Sequence, residues 1–242
     1  MTIAAGVGIS TSPPASGGRE LRIDFLGRVD YDEATRLQEE ARQALADRDG
    51  PERLLLLEHP PVYTLGRGAT REDLLATSEW LQSRGVRVVE CDRGGQITYH
   101  GPGQLVGYPI LDLNPDRRDI RRYVRDLQEV LIRTLADLDI EAEPGVPNRP
   151  AGVWVGELKI GSIGVHLRRW ITTHGFALNV STDLTSFDGI VACGLPSVRM
   201  VSVARLSECT PPLEAVARLC QDHFCEVFER RLEPIENLRD IL

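Results

Sequence analysis

The sequence predicts an α/β domain of the α+β type, in which a mixed, largely antiparallel sheet is flanked by helices. Three observations carry this prediction. Strand and helix patterns mix along the chain without the regular βαβ alternation of a parallel sheet. A two-residue turn, Gly156-Glu157, separates two short apolar strands and indicates a β-hairpin. The length of 242 residues suits one large domain with a buried core.

The N-terminal half begins with a segment that has little tendency to fold. Residues 1–18 are rich in Gly, Ser and Pro and lack the basic start and apolar core of a secretory signal, so they predict a flexible tail before a single domain at 19–242. Apolar periodicity then predicts two kinds of element. The predicted strands are 21–26, 54–57, 62–65 and 86–91, and the predicted helices are 30–48, 78–83 and 120–138.

The remaining elements follow from the same periodicity. Residues 93–107 are rich in glycine, which permits positive φ and a close approach of the backbone to another group. The predicted elements after this segment are hairpin strands at 153–155 and 158–160, a strand at 174–180, a strand or short helix at 200–206, a long helix at 211–231 and a small helix at 234–242.

Composition excludes some classes of function. The net charge of −8 argues against a nucleic-acid-binding protein, which would carry a dominant basic face. No apolar run has the length needed to cross a bilayer. The five cysteines are odd in number and irregularly spaced, which predicts reduced thiols in a cytoplasmic protein.

Lys159 is the only lysine among 28 basic residues. A lysine can lose its proton near neutral pH if its surroundings lower its pKa, whereas arginine cannot act as a base. Strand alternation places Lys159 on the face opposite Leu158 and Ile160, beside the small Gly161. Two interpretations remain open at this point: a group that transfers protons, and a solvated lysine of a hairpin.

Cys193 is the best candidate nucleophile among the cysteines. It lies between small residues and is followed by glycine and proline, which predicts a loop, and a nearby ammonium would favour its thiolate. Cys220 and Cys225 fall within the C-terminal helix pattern and are predicted to be core thiols.

Five stretches occur in an order that resembles the octanoyltransferases of lipoate biosynthesis, that is, the octanoyl-acyl carrier protein:protein N-octanoyltransferases. They are HPPVYTLGR (59–67), RGGQITYHGPGQLVGYPI (93–110), KIGSIG (159–164), THGFALNV (173–180) and CGLP (193–196). The resemblance covers about residues 20–232 and implies the fold of lipoate and biotin protein ligases. Five ordered motifs are far more specific than a single glycine pattern.

The resemblance also implies a set of site residues. It assigns a catalytic dyad to Cys193 and Lys159. Substrate-binding positions carry over to Arg93, Gly94, Gly95, Gln96, Ile97, Thr98, Tyr99, His100, Ser162, Ile163, Gly164, Gly175, Phe176 and Ala177. His100, in a glycine-rich turn, is expected to bind or orient the reacting groups, with a purely structural turn histidine as the alternative. His166 and His174 are expected to be structural.

The implied reaction consists of two acyl transfers. The donor is octanoyl-acyl carrier protein, the intermediate is an octanoyl thioester of Cys193, and the acceptors are lysines of the lipoyl domains of 2-oxoacid dehydrogenases and of the glycine cleavage H protein. Neither ATP nor a metal is expected, and neither nucleic acid nor a membrane is an expected partner. Small and apolar residues suit the wall of an eight-carbon slot, although core packing explains them equally well: Ile97, Ile163, Val165 and Ala177.

The glycine-rich turns at 94–95 and 161–164 both offer backbone N–H groups for an oxyanion, and the sequence does not choose between them. Carrier proteins are typically acidic, so a basic helix face could dock them. Five arginines fall within two turns of the third helix: Arg117, Arg118, Arg121, Arg122 and Arg125. Interspersed aspartates dilute this charge, so a solvated helix end is the alternative: Asp116, Asp119 and Asp126.

Three other functions remain to be weighed. An ATP-dependent lipoate or biotin protein ligase of the same fold would need no catalytic cysteine. A non-catalytic acyl-binding or carrier-binding module would hold octanoate without forming a thioester. A metal site from Cys220, His223 and Cys225 is disfavoured, because positions i and i+5 of a helix diverge.

Overall fold

The computed structural model describes residues 18–145, 149–195 and 198–233, without the side chain of Cys193. The strands are β1 (Arg19–Arg28), β2 (Glu52–Glu58), β3 (Val62–Leu65), β4 (Arg87–Glu90), β5 (Ile97–His100), β6 (Gln104–Ile110), β7 (Glu143–Pro144), β8 (Gly152–Val155), β9 (Leu158–Arg168), β10 (Ile171–Asn179), β11 (Arg199–Met200) and β12 (Arg230–Leu232). The α-helices are α1 (Tyr31–Ala46), α2 (Ser78–Arg84), α3 (Ile120–Ala136), α4 (Val203–Leu206) and α5 (Leu213–Phe228). Three short 3₁₀ helices span Arg71–Asp73, Leu184–Gly189 and Ala192–Gly194.

The strands form two sheets. In the described part of the chain, the large sheet runs in the order β12-β1-β2-β6-β10-β9-β8-β7, with β11 alongside β9, and the small sheet runs β4-β3-β5. In the large sheet β1 is parallel to β2 and β12, and β11 is parallel to β9. The other neighbours in that sheet are antiparallel. The predicted mixed, largely antiparallel sheet is therefore confirmed.

The large sheet is covered by helices on both faces. Strand β2 shows this directly, because its successive leucines point to opposite faces and all are buried. Leu54 and Leu56 join a core cluster with side chains of α3 and α5. Leu55 and Leu57 join a second cluster with side chains of α1. Burial on both faces explains why this strand reads as a continuous apolar run.

The predicted hairpin is present and is longer than its sequence signal. Gly156 has φ +58°, which a two-residue hairpin turn requires and glycine supplies without strain, and Val155 pairs with Leu158 across it. The second hairpin strand continues to Arg168 and then pairs with β10.

Two strands inside the glycine-rich segment escaped prediction. Strands β5 and β6 are buried at every position, so neither shows the alternation of buried and exposed residues by which a half-exposed strand is recognised. Together they connect the small sheet to the middle of the large one, since β5 pairs with β3 and β6 pairs with β2 and β10.

The predicted helix at 211–231 is wrong at its C-terminal end. Helix α5 ends at Phe228, and Glu229 adopts the left-handed conformation (φ +54°) that stops it. The chain then forms β12 parallel to β1. At 200–206 both alternatives occur, since a strand ends at Met200 and α4 begins at Val203. The predicted tail at 1–17 and small helix at 234–242 lie outside the described residues.

None of the helices in the described ranges combines the length and the apolar character that a membrane span requires.

A buried ion pair anchors β12. Arg230 donates from Nε to Oε2 of Glu52 at 2.6 Å, and both side chains are only 3% exposed. Arg19 approaches Glu52 Oε1 at 3.0 Å from the exposed side. Burial raises the pKa of the Glu52 carboxyl, although both arginines act to lower it. Breaking such a pair leaves a charge buried without compensation.

We expect Arg230→Met to lower the free energy of unfolding by about 3 kcal/mol, because Glu52 loses its main buried partner. Arg231→Met is the matched control, since the Arg231 side chain is exposed and lies 4.0 Å from Glu20. Urea unfolding of both variants measures the difference. Equal stability of the two variants would contradict the anchoring role of Arg230.

Candidate active site

A cavity of about 300 Å³ lies between the two sheets and α3. Three stretches that are distant in sequence meet there. Of the sequence-predicted substrate-binding positions, those that line the cavity are Arg93, Gly94, Gly95, Gln96, Ile97, Thr98, His100, Ser162, Ile163, Gly164, Gly175, Phe176 and Ala177. The fold thus gathers the loop before β5 with the middle of β9 and β10, which pair with one another.

Tyr99 is the one predicted substrate-binding residue that does not line the cavity. Alternation along β5 directs Thr98 and His100 toward the cavity and turns the Tyr99 ring away. That ring packs edge-on against Tyr63 and Phe187 in the core of the small sheet. The position therefore contributes to the sheet that supports the site, and a contact between Tyr99 and a substrate is not supported.

Lys159 lies inside the cavity wall and is 1% exposed, which excludes the solvated-lysine interpretation. Its Nζ lies 5.8 Å from the centre of the Trp154 ring, within the range of a cation–π contact. Gly152 makes room for the lysine stem, because a Cβ there would come within 2.6 Å of Lys159 Cε. The neighbouring Ile160 belongs to the main core.

Cys193 belongs to the 3₁₀ helix Ala192–Gly194, so the predicted loop is a single tight turn. Its side chain lies outside the described part of the structure. The backbone of this turn packs on the cavity wall: a Cβ at Gly194 would lie 3.0 Å from Gln96 Cγ, and Gln96 lines the cavity with Lys159. Gly194 has φ +68°, a conformation that favours glycine. The turn thus contacts Gln96, which lines the same cavity as Lys159.

His100 is held by a chain of buried hydrogen bonds. Its Nδ1 donates to Gln104 Oε1 at 2.7 Å, and Gln104 Nε2 donates to Asn179 Oδ1 at 2.9 Å. Asn179 Nδ2 then donates to the Val201 carbonyl at 3.1 Å, and the Val201 N–H donates to the Lys159 carbonyl at 3.0 Å. Burial, followed by the charges of His59 and Arg93, lowers the pKa of His100 well below its usual value. A neutral ring that donates from Nδ1 can only accept at Nε2.

Sequence reasoning missed a group of aromatic residues behind His100. His59 is fully buried, and burial lowers its pKa to about 4. Its Nδ1 contacts the Val29 carbonyl at 2.7 Å, which can only accept, so Nε2 accepts the hydrogen bond of the Tyr108 hydroxyl at 2.8 Å. Both residues fall within stretches already noted, His59 in HPPVYTLGR and Tyr108 in RGGQITYHGPGQLVGYPI, but neither was singled out for the site, and Tyr108 reaches the cavity through burial of the entire strand β6.

Tyr31, at the start of α1, also lines the cavity. Its ring stacks on His100 with centres 6.4 Å apart. Its hydroxyl is buried and makes no hydrogen bond to any residue that the structure describes. The neighbouring Cys91 thiol donates to the Leu65 carbonyl instead, at 3.3 Å. Burial, with Tyr108 nearby, raises the pKa of the Tyr31 hydroxyl, so this group is a neutral donor on the cavity wall.

Arg93 places a positive charge on the same wall. The side chain is 7% exposed, and its guanidinium donates to Thr64 (2.5 Å to the carbonyl and 2.7 Å to Oγ1) and to the Gly94 carbonyl at 3.1 Å. Within the described ranges, the Arg93 guanidinium donates to these neutral oxygens alone. Its charge acts to lower the pKa of both His100 and His174. An interior cation of this kind can stabilise negative charge that develops on a bound group.

His174 was expected to be structural, and the structure places it on the cavity wall. Its Nε2 contacts Asp92 Oδ1 at 2.8 Å, and the other carboxylate oxygen lies 2.6 Å from His166 Nδ1. Burial lowers the pKa of His174, although Asp92 acts to raise it. Asp92 directly precedes Arg93, so this carboxylate ties the RGG segment to β9 and β10. Asp92 therefore positions two strands and a loop at the site.

The rest of the cavity is apolar. The four positions proposed for an acyl wall all line it: Ile97, Ile163, Val165 and Ala177. Helix α3 adds Ile120 and Val124, and β10 adds the Phe176 ring. That ring rests directly on Gly107 of β6, where a Cβ would come within 2.1 Å of it. An apolar space ending in a few polar groups is typical of a pocket for a small ligand.

The remaining cysteines and histidine have structural environments. Cys220 is fully buried in the main core, and Cys225 packs against it, as predicted. His223 Nε2 instead contacts Asp137 at 2.8 Å. In the parts of the chain that the structure describes, no three His, Cys, Asp or Glu side chains are arranged to hold a metal ion.

We expect the His59 ring to stay neutral down to about pH 5, because its burial lowers the pKa to about 4. Unfolding restores a pKa of about 6.5, so the unfolded chain binds more protons between these two values and stability falls as the pH drops through that window. NMR of the ring carbons in histidine-labelled protein measures the titration, and His59→Gln assigns the signal. A midpoint near pH 6.5 would contradict the buried, neutral state.

Comparison with known proteins places this geometry in a family. Residues 30–225 match the family described as "Lipoyl protein ligase A/B catalytic domain". The chain is 48% identical over 209 residues to an octanoyltransferase of Solibacter usitatus, covering 86% of this chain and 93% of that protein. It is 43% identical to an octanoyltransferase of Caldicellulosiruptor bescii, covering 92% of this chain and 98% of that protein.

A solved structure agrees with the fold. A lipoate-protein ligase A bound with ATP superposes with a TM-score of 0.71 at 19% identity, covering 89% of this chain and 90% of that one. This confirms the fold that the ordered motifs implied. The chain therefore belongs to the lipoyl protein ligase A/B catalytic-domain family, and within that family to the octanoyltransferases.

Proposed function

We propose that the protein transfers an octanoyl group from octanoyl-acyl carrier protein to a lysine of a lipoyl domain, through a thioester on Cys193. One observation carries the proposal: Lys159 is buried in the wall of an apolar cavity, and the turn that contains Cys193 packs against the same wall. Octanoyltransferases are also the relatives that share nearly half of its residues. The acceptors are the lipoyl domains of 2-oxoacid dehydrogenases and the glycine cleavage H protein.

In the first transfer the Cys193 thiolate attacks the thioester carbonyl of the donor. The C–S bond to the carrier then breaks as the new C–S bond to Cys193 remains, and the departing carrier thiolate takes up a proton. Lys159 is proposed to accept the Cys193 proton and to deliver it to that leaving group. Exchange of one thioester for another keeps the acyl group activated, so the scheme needs no ATP.

In the second transfer the amine of the acceptor lysine attacks the acyl-enzyme carbonyl. An amide forms, the Cys193 thiolate leaves, and Lys159 accepts the proton that the amine must lose. Conversion of a thioester to an amide lowers the free energy. Because Cys193 and Lys159 share the proton, the pKa values that a rate profile reports belong to the pair.

The cavity supplies groups suited to both steps. The expected turn at 161–164 is part of strand β9, and the Gly94 N–H donates to the Val165 carbonyl. The Arg93 guanidinium and the Gly95 N–H are therefore the candidates to stabilise the tetrahedral oxyanion. The neutral His100, held by Gln104, is suited to accept a hydrogen bond at Nε2 from a reacting group. The apolar wall holds the acyl chain, at about 0.8 kcal/mol for each CH₂ removed from water.

Intact mass spectrometry tests the covalent step. After mixing with octanoyl-acyl carrier protein, we expect one octanoyl adduct that hydroxylamine removes and that Cys193→Ala lacks. Cys209→Ala is the matched control, because the Cys209 thiol is exposed and would acquire any non-specific acyl group. An adduct that persists in Cys193→Ala would overturn the assignment. ATP-dependent transfer by that variant would instead favour the ligase class.

We expect Lys159→Arg to lower the rate of octanoyl transfer by about a hundredfold or more, because a guanidinium keeps the charge but cannot carry the proton. Lys159→Met tests the same role with a side chain of similar length and no charge. Thermal unfolding of both variants shows whether they fold. Transfer near the wild-type rate by folded Lys159→Arg would refute the acid–base role.

A further inference from the structure

Helix α3 carries two exposed arginines beside the cavity. Ile120 and Val124 line the cavity, and Ile120 is 47% exposed, so this part of α3 forms the rim. Arg121 and Arg125 each follow one of these residues. With about 100° between successive helical residues, they form the next stripe around the helix. Both are exposed, and we call them the arginine row.

The nearby aspartates offset this row only in part. The backbone N–H groups at the start of α3 and, after them, the charges of Arg125 and Arg121 lower the pKa of Asp119. Asp119 caps α3, since its carboxylate accepts the backbone N–H groups of Arg121 at 2.8 Å and Arg122 at 3.1 Å. Asp116 contacts Arg19 and Arg230 on the far side of the segment that precedes the helix.

Asp126 also has an ion-pair partner outside the arginine row. Its carboxylate binds the buried Arg117, whose guanidinium also lies over the Phe228 ring and donates to the Val227 carbonyl. Arg117 thus packs in the core, although the sequence pattern placed it with the basic face. The dilution of charge that the sequence pattern suggested is therefore only partial, because Asp126 binds Arg117 and Asp119 also caps the helix.

The arginine row therefore presents exposed positive charge at the rim of the cavity. In the described part of the chain, neither guanidinium of the row lies within 4.0 Å of a carboxylate. The protein as a whole carries a net charge of −8, so an acidic partner is repelled by most of its surface and attracted at this rim. An exposed isoleucine beside two arginines also provides the apolar contact of a docking surface.

We infer that the arginine row docks the acidic surface of the carrier protein that delivers the acyl group. The inference rests on the proposed function for the identity of that carrier. It favours the donor over the acceptor because the reactive groups of the two partners extend to different distances from the docked domain. A carrier holds its acyl group on a long prosthetic arm and can rest on the rim while the thioester enters the cavity to Lys159. An acceptor lysine reaches inward by the length of its own side chain alone, so its domain must sit over the opening itself, whereas the arginine row lies one helical stripe outside the lining residues Ile120 and Val124.

The charge reversal Arg121→Glu/Arg125→Glu tests the docking. Both sites are exposed, and position 121 lies in the first turn of α3, where negative charge is favourable, so the fold is expected to persist. The readout is acyl-enzyme formation with two donors, octanoyl-acyl carrier protein and the small thioester octanoyl-N-acetylcysteamine. We expect KM for the carrier donor to rise about tenfold, with kcat/KM for the small donor unchanged. Added salt should raise the wild-type KM and narrow this difference.

Arg218→Glu is the matched control, because Arg218 is an exposed arginine of α5 that does not line the cavity. It should leave both donors unaffected. Unchanged KM in the double variant would overturn the docking, and so would an equal loss with both donors. The same variant, first acylated by the small donor, is then mixed with a lipoyl domain. A defect confined to this second transfer would assign the row to the acceptor and overturn the inference.

Failure of the proposed function has a different signature. In that case the wild-type protein forms no acyl-enzyme with either donor, and the docking falls with it. If both donors acylate the wild type and the double variant behaves like the wild type, the docking is wrong and the proposed function is unaffected.

Discussion

The site depends on one buried pair of side-chain amides, Gln104 and Asn179. They lie opposite each other on β6 and β10, in the middle of the large sheet. Gln104 reaches across to the small sheet, where it binds His100 and the Tyr99 carbonyl. Asn179 reaches the other way, to the segment that follows the turn containing Cys193. Because both amides are almost inaccessible to water, an unmade hydrogen bond here would be costly, and the two sheets are held at a defined separation.

The ionisable groups inside the cavity differ in charge from those at its rim. Inside the cavity, burial and Arg93 keep the imidazoles neutral, so that they offer acceptor nitrogens without adding charge. At the rim, Arg121 and Arg125 face solvent. Asp92 and Asp126 bind other residues of the protein: Asp92 fixes a loop against two strands, and Asp126 holds a core arginine.

Much of the fold was accessible from the sequence, because most elements bury one face and therefore show a period. Helix α1 and the hairpin at Gly156 are examples. The missed strands, β5 and β6, are buried at every position, so no period remains. Of the candidate site, ordered motifs located Lys159 and the cavity segments, including the stretch that contains Tyr108. Tyr31 could not be located, because the start of α1 lies outside these motifs and only the fold brings it to the cavity.

The contact between Phe176 and Gly107 makes the cavity sensitive to a residue outside it. The aromatic ring forms part of the wall, and it packs on β6 only because position 107 has no side chain. A single methyl group added behind the ring would have to displace it. A Cβ at the adjacent Gly175 would come within 2.2 Å of the Gly107 carbonyl oxygen. The backbone spacing of β6 and β10 thus limits the volume of the cavity, so a relative could change that volume without altering any residue that lines it.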